Sequence, residues 1–283
     1  SGMAILYAPS FFVAHIVAPM WGYDADGFSI PYKFCLQLWA LLFAFVGLYY
    51  LRKLLLFYYS DTVVALVLFL LVFGTNYLNY SAIDVGMSHT WLFTLYVFII
   101  LNTHYYYQKH QLKYLVRVGL LVGLVTLIRP TEIISMLIPV FWGIDSFTEL
   151  RARFSFFLHN KVQVLTFLAL VFVVFSIQLF YWHYVSGRWI VYSYQEQGFN
   201  FLRPHAFVYS WSYKAGWLRY TPMMLLSFIG FLLYPRYGSN KFAVMLFFML
   251  SYYVVSAWNI WDYGGFSGRA MIQSYPILVF PLA

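Results

Sequence analysis

The residues best suited to chemistry lie late in the chain, in Trp258-Asn259-Ile260-Trp261-Asp262-Tyr263-Gly264-Gly265-Phe266-Ser267-Gly268-Arg269, followed by Ala270-Met271-Ile272-Gln273-Ser274-Tyr275-Pro276. Glycines let a backbone take positive φ and approach a ligand closely. An arginine offers a planar fork of donors that matches phosphate oxygens. The free N–H groups opening the next helix add to the same positive field. Arg269 therefore reads as a phosphate ligand at a membrane boundary, against the plainer reading of a loop with one snorkelling arginine.

Four further groups carry the same kind of choice. Arg129 and Glu132 flank Pro130 at the end of an apolar segment, where charges usually face a cavity or a partner. They form either a local ion pair capping two broken helices or, through Arg129, a second phosphate contact. His89 opens a helix just after Asp84; it could bind a sugar hydroxyl or accept a proton, or simply sit at the interface. Asp24 and Asp26 have the spacing of Asp-x-Asp pairs that hold a divalent cation and a diphosphate, and equally that of a solvated loop. The stretch 188–219 mixes stacking faces with donors and acceptors, among them Tyr192, Tyr194, Gln195, Glu196, Arg203 and His205. That mixture suits carbohydrate and also suits an interfacial aromatic belt. No phosphate-binding glycine loop, Ser-His-Asp context or zinc spacing occurs, so nucleotide hydrolysis and metalloprotease chemistry have no support.

These residues must be positioned by membrane helices. Of 283 residues 63% are hydrophobic and 9% charged, with a mean hydropathy of +0.73. Soluble domains carry about 25% charged residues, so the chain is expected to be an all-α, polytopic integral membrane protein. Apolar runs near 34–50, 62–80, 90–102, 118–128, 162–184, 222–234, 242–258 and 270–283, with broken runs at 4–20 and 133–144, give about nine or ten segments. One transmembrane domain spans 1–283, with an outer juxtamembrane helix and loop at 1–33 and an outer loop at 186–220. The single cysteine, Cys35, excludes an intrachain disulfide and any cysteine metal site. Ten of the 17 basic residues fall in four short loops, at 52–53, 109–117, 151–161 and 236–241, which predicts a cytoplasmic side. The opposite face then collects Asp24, Asp26, Asp84, Glu132, Glu196 and Asp262 with most of the histidines. The +8 balance is expected to serve membrane lipids and phosphate groups, not nucleic acid. Ser1-Gly2-Met3 has no basic n-region and both ends run through apolar sequence, which predicts a piece of a longer protein truncated at both ends.

The order of these features resembles the GT-C glycosyltransferases that use polyprenyl-phosphate sugars, among them the protein O-mannosyltransferases and the aminoarabinose transferases of lipid A. The run 1–20 is similar to the juxtamembrane helix closing that family's first outer loop, and Leu51-Arg52-Lys53 to its basic cytoplasmic turn. Asp84 to His89 falls where the family has an acidic or polar residue at the outer start of a helix. Gly119-Leu120-Leu121-Val122-Gly123 leading to Arg129-Pro130 resembles its glycine-spaced helix ending in a basic residue, and Gly268-Arg269 with Tyr275-Pro276 its late phosphate-contacting segment. The resemblance implies a transferase moving sugar from a polyprenyl-phosphate donor to a lipid, glycan or protein hydroxyl at the outer face, in a bacterial inner membrane with the site facing the periplasm. It implies Arg269 and Arg129 as donor-phosphate ligands, and Asp84, His89, Glu132 and Tyr275 as substrate contacts. The family's catalytic aspartate falls upstream of Ser1, so this stretch alone is predicted inactive; Asp26, Asp24 and His89 are weaker candidates. A divalent cation is compatible with the reading, and no residues here are assigned to a metal. A transporter or flippase, or a scaffold binding lipid-linked sugar, are the rival classes.

Overall fold

Apolar side chains surround the segment 88–109 on every side, and a helix of that kind belongs inside a bundle. In the computed structural model it forms the central helix. The described residues are all of 1–283 except Ser193, Gln195 and Tyr263, together with the side chain of Tyr237. Among them the chain is all-α, with a single isolated bridge between Phe199 and Trp258 and no strand. The helices are α1 Gly2–Met20, α2 Ile30–Leu55, α3 Asp61–Phe73, α4 Ser88–Lys109, α5 Leu112–Ile128, α6 Leu137–Phe141 and α7 Phe147–His159. They continue with α8 Lys161–Ser186, α9 Ala206–Trp211, α10 Trp217–Tyr220, α11 Met224–Tyr237, α12 Lys241–Ser256 and α13 Tyr275–Leu282. One π turn (Asn79–Ile83) and two 3-10 segments (Pro130–Met136 and Arg269–Ser274) interrupt the sequence of α-helices.

Helix α4 packs against α2, α5, α6, α13, the π turn and the 3-10 segment Arg269–Ser274. Its 22 residues rise about 33 Å, close to the ~30 Å of a bilayer core. It therefore has a polar end at His89 and a basic end at Lys109. Helix α8 lies outside, against α5, burying only Phe167, Val171 and Gln178. The rest of its apolar surface is uncovered, as lipid-facing surface would be.

The α5–α8 seam depends on two glycines four residues apart. A Cβ at Gly123 would stand 2.7 Å from Val174 Cβ, and one at Gly119 would stand 3.0 Å from Leu170 Cβ. Small residues at this spacing let two apolar helices approach closely, where dispersion contacts carry the association. Gly123→Leu is expected to force the helices apart and cost about 1–3 kcal/mol, read as a lowered unfolding midpoint in detergent. An unchanged midpoint would show that the seam tolerates separation there.

Three helices, α1, α2 and α8, are long and apolar enough to cross a membrane; α3, the run from Pro130 to Phe141, α11 and α12 are apolar but shorter. The expected nine or ten spans are thus not all full-length helices. Hydropathy cannot see the breaks at Gly74, Arg129-Pro130 and Arg269–Ser274, nor the polar residues that dilute α4. Helix α1 also departs from a simple span. Its first turns sit on Ile128 and on the corner before α4, with Tyr7 Oη donating to Gly86 O at 2.9 Å and Trp39 Nε1 donating to Leu6 O at 2.9 Å. Farther along, Ala14 and Ala18 pack with Tyr32 of α2 in a small cluster of their own. So α1 and the start of α2 form a hairpin that projects beyond the polar end of the bundle.

The outer stretch after α8 is strapped to the end of α12 by Asn200 N donating to Ala257 O (2.6 Å) and Asn259 N donating to Gly198 O (2.9 Å). Two of its cations are engaged locally. The Arg219 guanidinium lies 3.4 Å from the Tyr213 ring centroid, and Lys214 Nζ is 2.8 Å from Asp262 Oδ2. That bond raises the Lys214 ammonium above its ordinary range and lowers the Asp262 carboxyl below its own. Gln195, expected here as a carbohydrate contact, lies outside the described residues.

Candidate functional site

Three interruptions of regular helix converge at the polar end. The first is Arg129. The residue before a proline avoids the helical region, and Arg129 takes φ −142°, ψ 117°, ending α5. Pro130 then opens the 3-10 segment that carries Glu132. The second is the corner between the π turn and α4, which brings Tyr80 to the His89 ring on the first turn of α4. The third is the Gly-rich turn entering the 3-10 segment Arg269–Ser274, whose fifth residue is Gln273.

Glu132 is the buried node. It is 3% exposed. Tyr96 Oη donates to its Oε2 at 2.7 Å, Gln273 Nε2 to its Oε1 at 2.7 Å, and Thr131 Oγ1 to its Oε1 at 3.2 Å. The expected local ion pair with Arg129 is not what forms: the ion pairs within 4 Å among the described residues are Arg52–Asp61 and Lys214–Asp262. The Arg129 guanidinium turns instead to His89, with Nη1 3.2 Å from Nδ1.

His89 Nδ1 also lies 2.9 Å from Gln273 Oε1, and one ring nitrogen cannot serve both neighbours. A Glu132 carboxylate is an acceptor only, so Gln273 gives it the amide NH2 and turns its carbonyl oxygen to His89. Nδ1–H then donates to Gln273 Oε1, and Nε2 holds the lone pair. Arg129 is left beside the ring with its donors available to an anion. His89 is therefore expected to be the Nδ1–H tautomer in nitrogen-15 magnetic-resonance spectra of histidine-labelled protein, assigned by the signal lost in His89→Asn. Gln273→Leu removes the acceptor and should convert the ring to the Nε2–H form, with Nδ1 accepting from Arg129. An Nε2–H signal in the unsubstituted protein would reverse the assignment.

Arg269 comes near the same ring from the Gly-rich turn. The Arg129 and Arg269 charges both act on His89, and Arg269 also acts on Tyr80. Tyr80 meets the His89 ring edge-on at 6.4 Å and donates to Phe266 O at 2.9 Å. Arg269 Nη1 donates to Gly264 O. Between them lies Gly265, at φ +137°, where a Cβ would come within 2.7 Å of Arg269 Nη1 and 2.8 Å of Tyr80 Oη. Only glycine fits that backbone and that gap. Both arginines are half-buried, charged groups at a polar end open to the outside of the bundle.

The structure thus brings Arg129, Arg269, His89 and Glu132 together, with Asp84 close enough to act on Tyr80. Tyr275 lies below them, fully buried, its hydroxyl donating to Asn76 Oδ1 at 2.6 Å and accepting from Trp217 Nε1 at 3.1 Å. It supports the site and does not face it. Asp24 and Asp26 are at the tip of the α1–α2 hairpin. Asp26 Oδ1 accepts from Phe28 N (2.8 Å) and Ser29 N (2.9 Å), which holds its carboxyl below the ordinary range and fixes the turn into α2. That is a turn-forming role, and among the described residues no group of three or more His, Cys, Asp and Glu is placed to hold a metal. The residues that sequence reasoning left without a role are Tyr80, Tyr96 and Gln273. Of these Gln273 carried a usable signal, an amide inside an apolar run four residues after Arg269.

No protein-family model, curated protein or solved structure matches this chain.

Proposed function

We propose that this is a polytopic integral membrane glycosyltransferase that moves a sugar from a polyprenyl-phosphate donor to an acceptor hydroxyl at the outer face. A bacterial inner membrane with the polar end toward the periplasm is the location this reading takes. The observation that carries it is the meeting of two half-buried arginines, from separate parts of the chain, near one histidine on which both charges act. Two such forks suit a phosphate whose charge changes during reaction.

In the transfer, the acceptor oxygen attacks the anomeric carbon while the bond from that carbon to the phosphate oxygen breaks. The electron pair stays on the phosphate, which changes from a diester to a monoester and gains negative charge. Arg269 and Arg129 stabilise that charge, an effect worth about 3–4 kcal/mol per preorganised donor. The acceptor's proton leaves to a base; within the cluster, His89 Nε2 is the group with a free lone pair for it. Asp24 and Asp26, out at the hairpin tip, are poorly placed for that step. Glu132 and Gln273 hold His89 and so position the site.

One observation favours a second reading. The sequence shows no matching pair of interrupted helices, yet the fold has two arginine-led 3-10 segments facing one another, a feature of transporters that bind anions at broken helices. Proteoliposomes containing the full-length protein separate the two. Labelled polyprenyl-phosphate mannose and aminoarabinose, offered with lipid and peptide acceptors, should yield labelled acceptor. Movement of the donor across the bilayer without transfer would replace the transferase by a flippase, and binding with neither would leave a scaffold.

A further inference from the structure

The basic end of the bundle holds a concavity of about 430 Å³. Lys53 from the end of α2, Lys109 from the end of α4 and Arg117 from the second turn of α5 all line it, together with Tyr105, Tyr114 and Asn102. No carboxylate is among its lining residues. Asp61, at the same end, is already paired with Arg52 at 2.6 Å. Two of the cations rest on aromatic faces: Lys109 Nζ is 5.0 Å from the Tyr105 ring centroid and 6.0 Å from that of Tyr114, and the Arg117 guanidinium is 5.7 Å from Tyr114. Such contacts hold the side chains in place at about 0.5–1 kcal/mol each, but they leave three like charges gathered without a counter-charge.

A cytoplasmic excess of Lys and Arg alone explains basic residues at this end. It does not explain three from three different helices lining one aromatic-walled concavity that holds no carboxylate. We infer that this pocket is an anion site for a phosphate group, presented either by an anionic phospholipid headgroup or by a free phosphate. Basic pockets between membrane helices are suited to such headgroups. The tyrosine hydroxyls and the Asn102 amide add donors beside the charges. This site is distinct from the polar end, and the inference does not depend on the transferase reading.

The test is thermal unfolding of the protein in nanodiscs of phosphatidylcholine alone, of phosphatidylcholine with phosphatidylglycerol, and of phosphatidylcholine with added inorganic phosphate. Occupancy at about ten times the dissociation constant should raise the midpoint by about 3–6 °C for a chain of this size. The triple variant Lys53→Gln, Lys109→Gln, Arg117→Gln should lose that rise, while Arg151→Gln, a basic residue outside the pocket, should keep it. If the triple variant does not fold, Arg117→Gln alone is measured the same way and should lose about half of the rise. A rise with phosphatidylglycerol and none with phosphate assigns the headgroup; a rise with phosphate alone assigns the free anion. No rise with either, or an equal rise in the triple variant, overturns the site.

Discussion

Arg269→Ala is expected to lower sugar transfer by at least about a hundredfold, within the range seen when one preorganised oxyanion donor is removed. The substitution should leave expression and the unfolding midpoint near those of the unsubstituted protein. Arg269 is half-buried at the first position of a 3-10 segment, and its guanidinium donates to the carbonyl of Gly264. A carbonyl at an exposed turn can return to water, so losing that bond costs little stability. Catalysis differs because the donor is aimed where phosphate charge grows, in a site of low dielectric. Arg269→Lys should recover part of the rate, since the ammonium keeps the charge and loses the two-pronged geometry. The measurement is labelled transfer in proteoliposomes at saturating donor. Transfer unchanged in Arg269→Ala would remove Arg269 from the phosphate site, whatever the fate of the transferase reading.

The site was partly legible in sequence, for a physical reason. A charge inside an apolar run is costly and therefore conspicuous, which is why Arg129, Glu132 and Arg269 stood out. A proline beside Arg129 and glycines before Arg269 marked both breaks in helix, because those residues act through their own backbone. Tyr80 and Tyr96 carried no comparable mark, and Gln273 only that of an amide inside an apolar run. Neutral polar residues occur at many helix positions, and their partners here are distant in sequence: Gln273 meets Glu132 across 141 residues and His89 across 184, while Tyr80 meets Phe266 across 186. No periodicity reports such pairings. Tyr275, which the family resemblance implied as a substrate contact, has its ring in the core, its hydroxyl bonded to Asn76 and Trp217.

The all-α fold followed from composition, whereas the number of full crossings did not. Hydropathy averages apolarity over a window and is blind to direction and to breaks. It rates α1 as a span, yet the bonds from Tyr7 and Trp39 fix its first turns at the polar end and send the remainder outward. It also rates the runs before and after Arg129 as two weak spans, while the chain there is one helix, a 3-10 turn and a short helix, Leu137–Phe141. The breaks that blur the span count are the same ones that expose backbone and charge to a common point. A continuous helix at 112–141 would bury Arg129 against its neighbours and dissolve the site.

The second large effect is on stability. Glu132→Ala is expected to cost about 3–5 kcal/mol, the range for removing one member of a buried charged network. Hydrogen bonds between membrane helices average only about 0.6 kcal/mol, so three ordinary bonds lost, about 1.8 kcal/mol together, fall short of this range. The larger part comes from donors left behind. Tyr96 Oη and Gln273 Nε2 lie at 2.7 Å from the carboxylate in a region closed to water, and each buried donor without an acceptor costs about 1–3 kcal/mol. Glu132→Gln should cost less than Glu132→Ala, because it keeps one carbonyl oxygen for either donor. Glu132→Ala combined with Gln273→Leu should be less destabilised than the sum of the single changes, since the second removes a donor the first orphaned. Unfolding midpoints in detergent for these four proteins decide the matter. A midpoint unchanged in Glu132→Ala, with transfer abolished, would move Glu132 from the supporting network to direct contact with substrate.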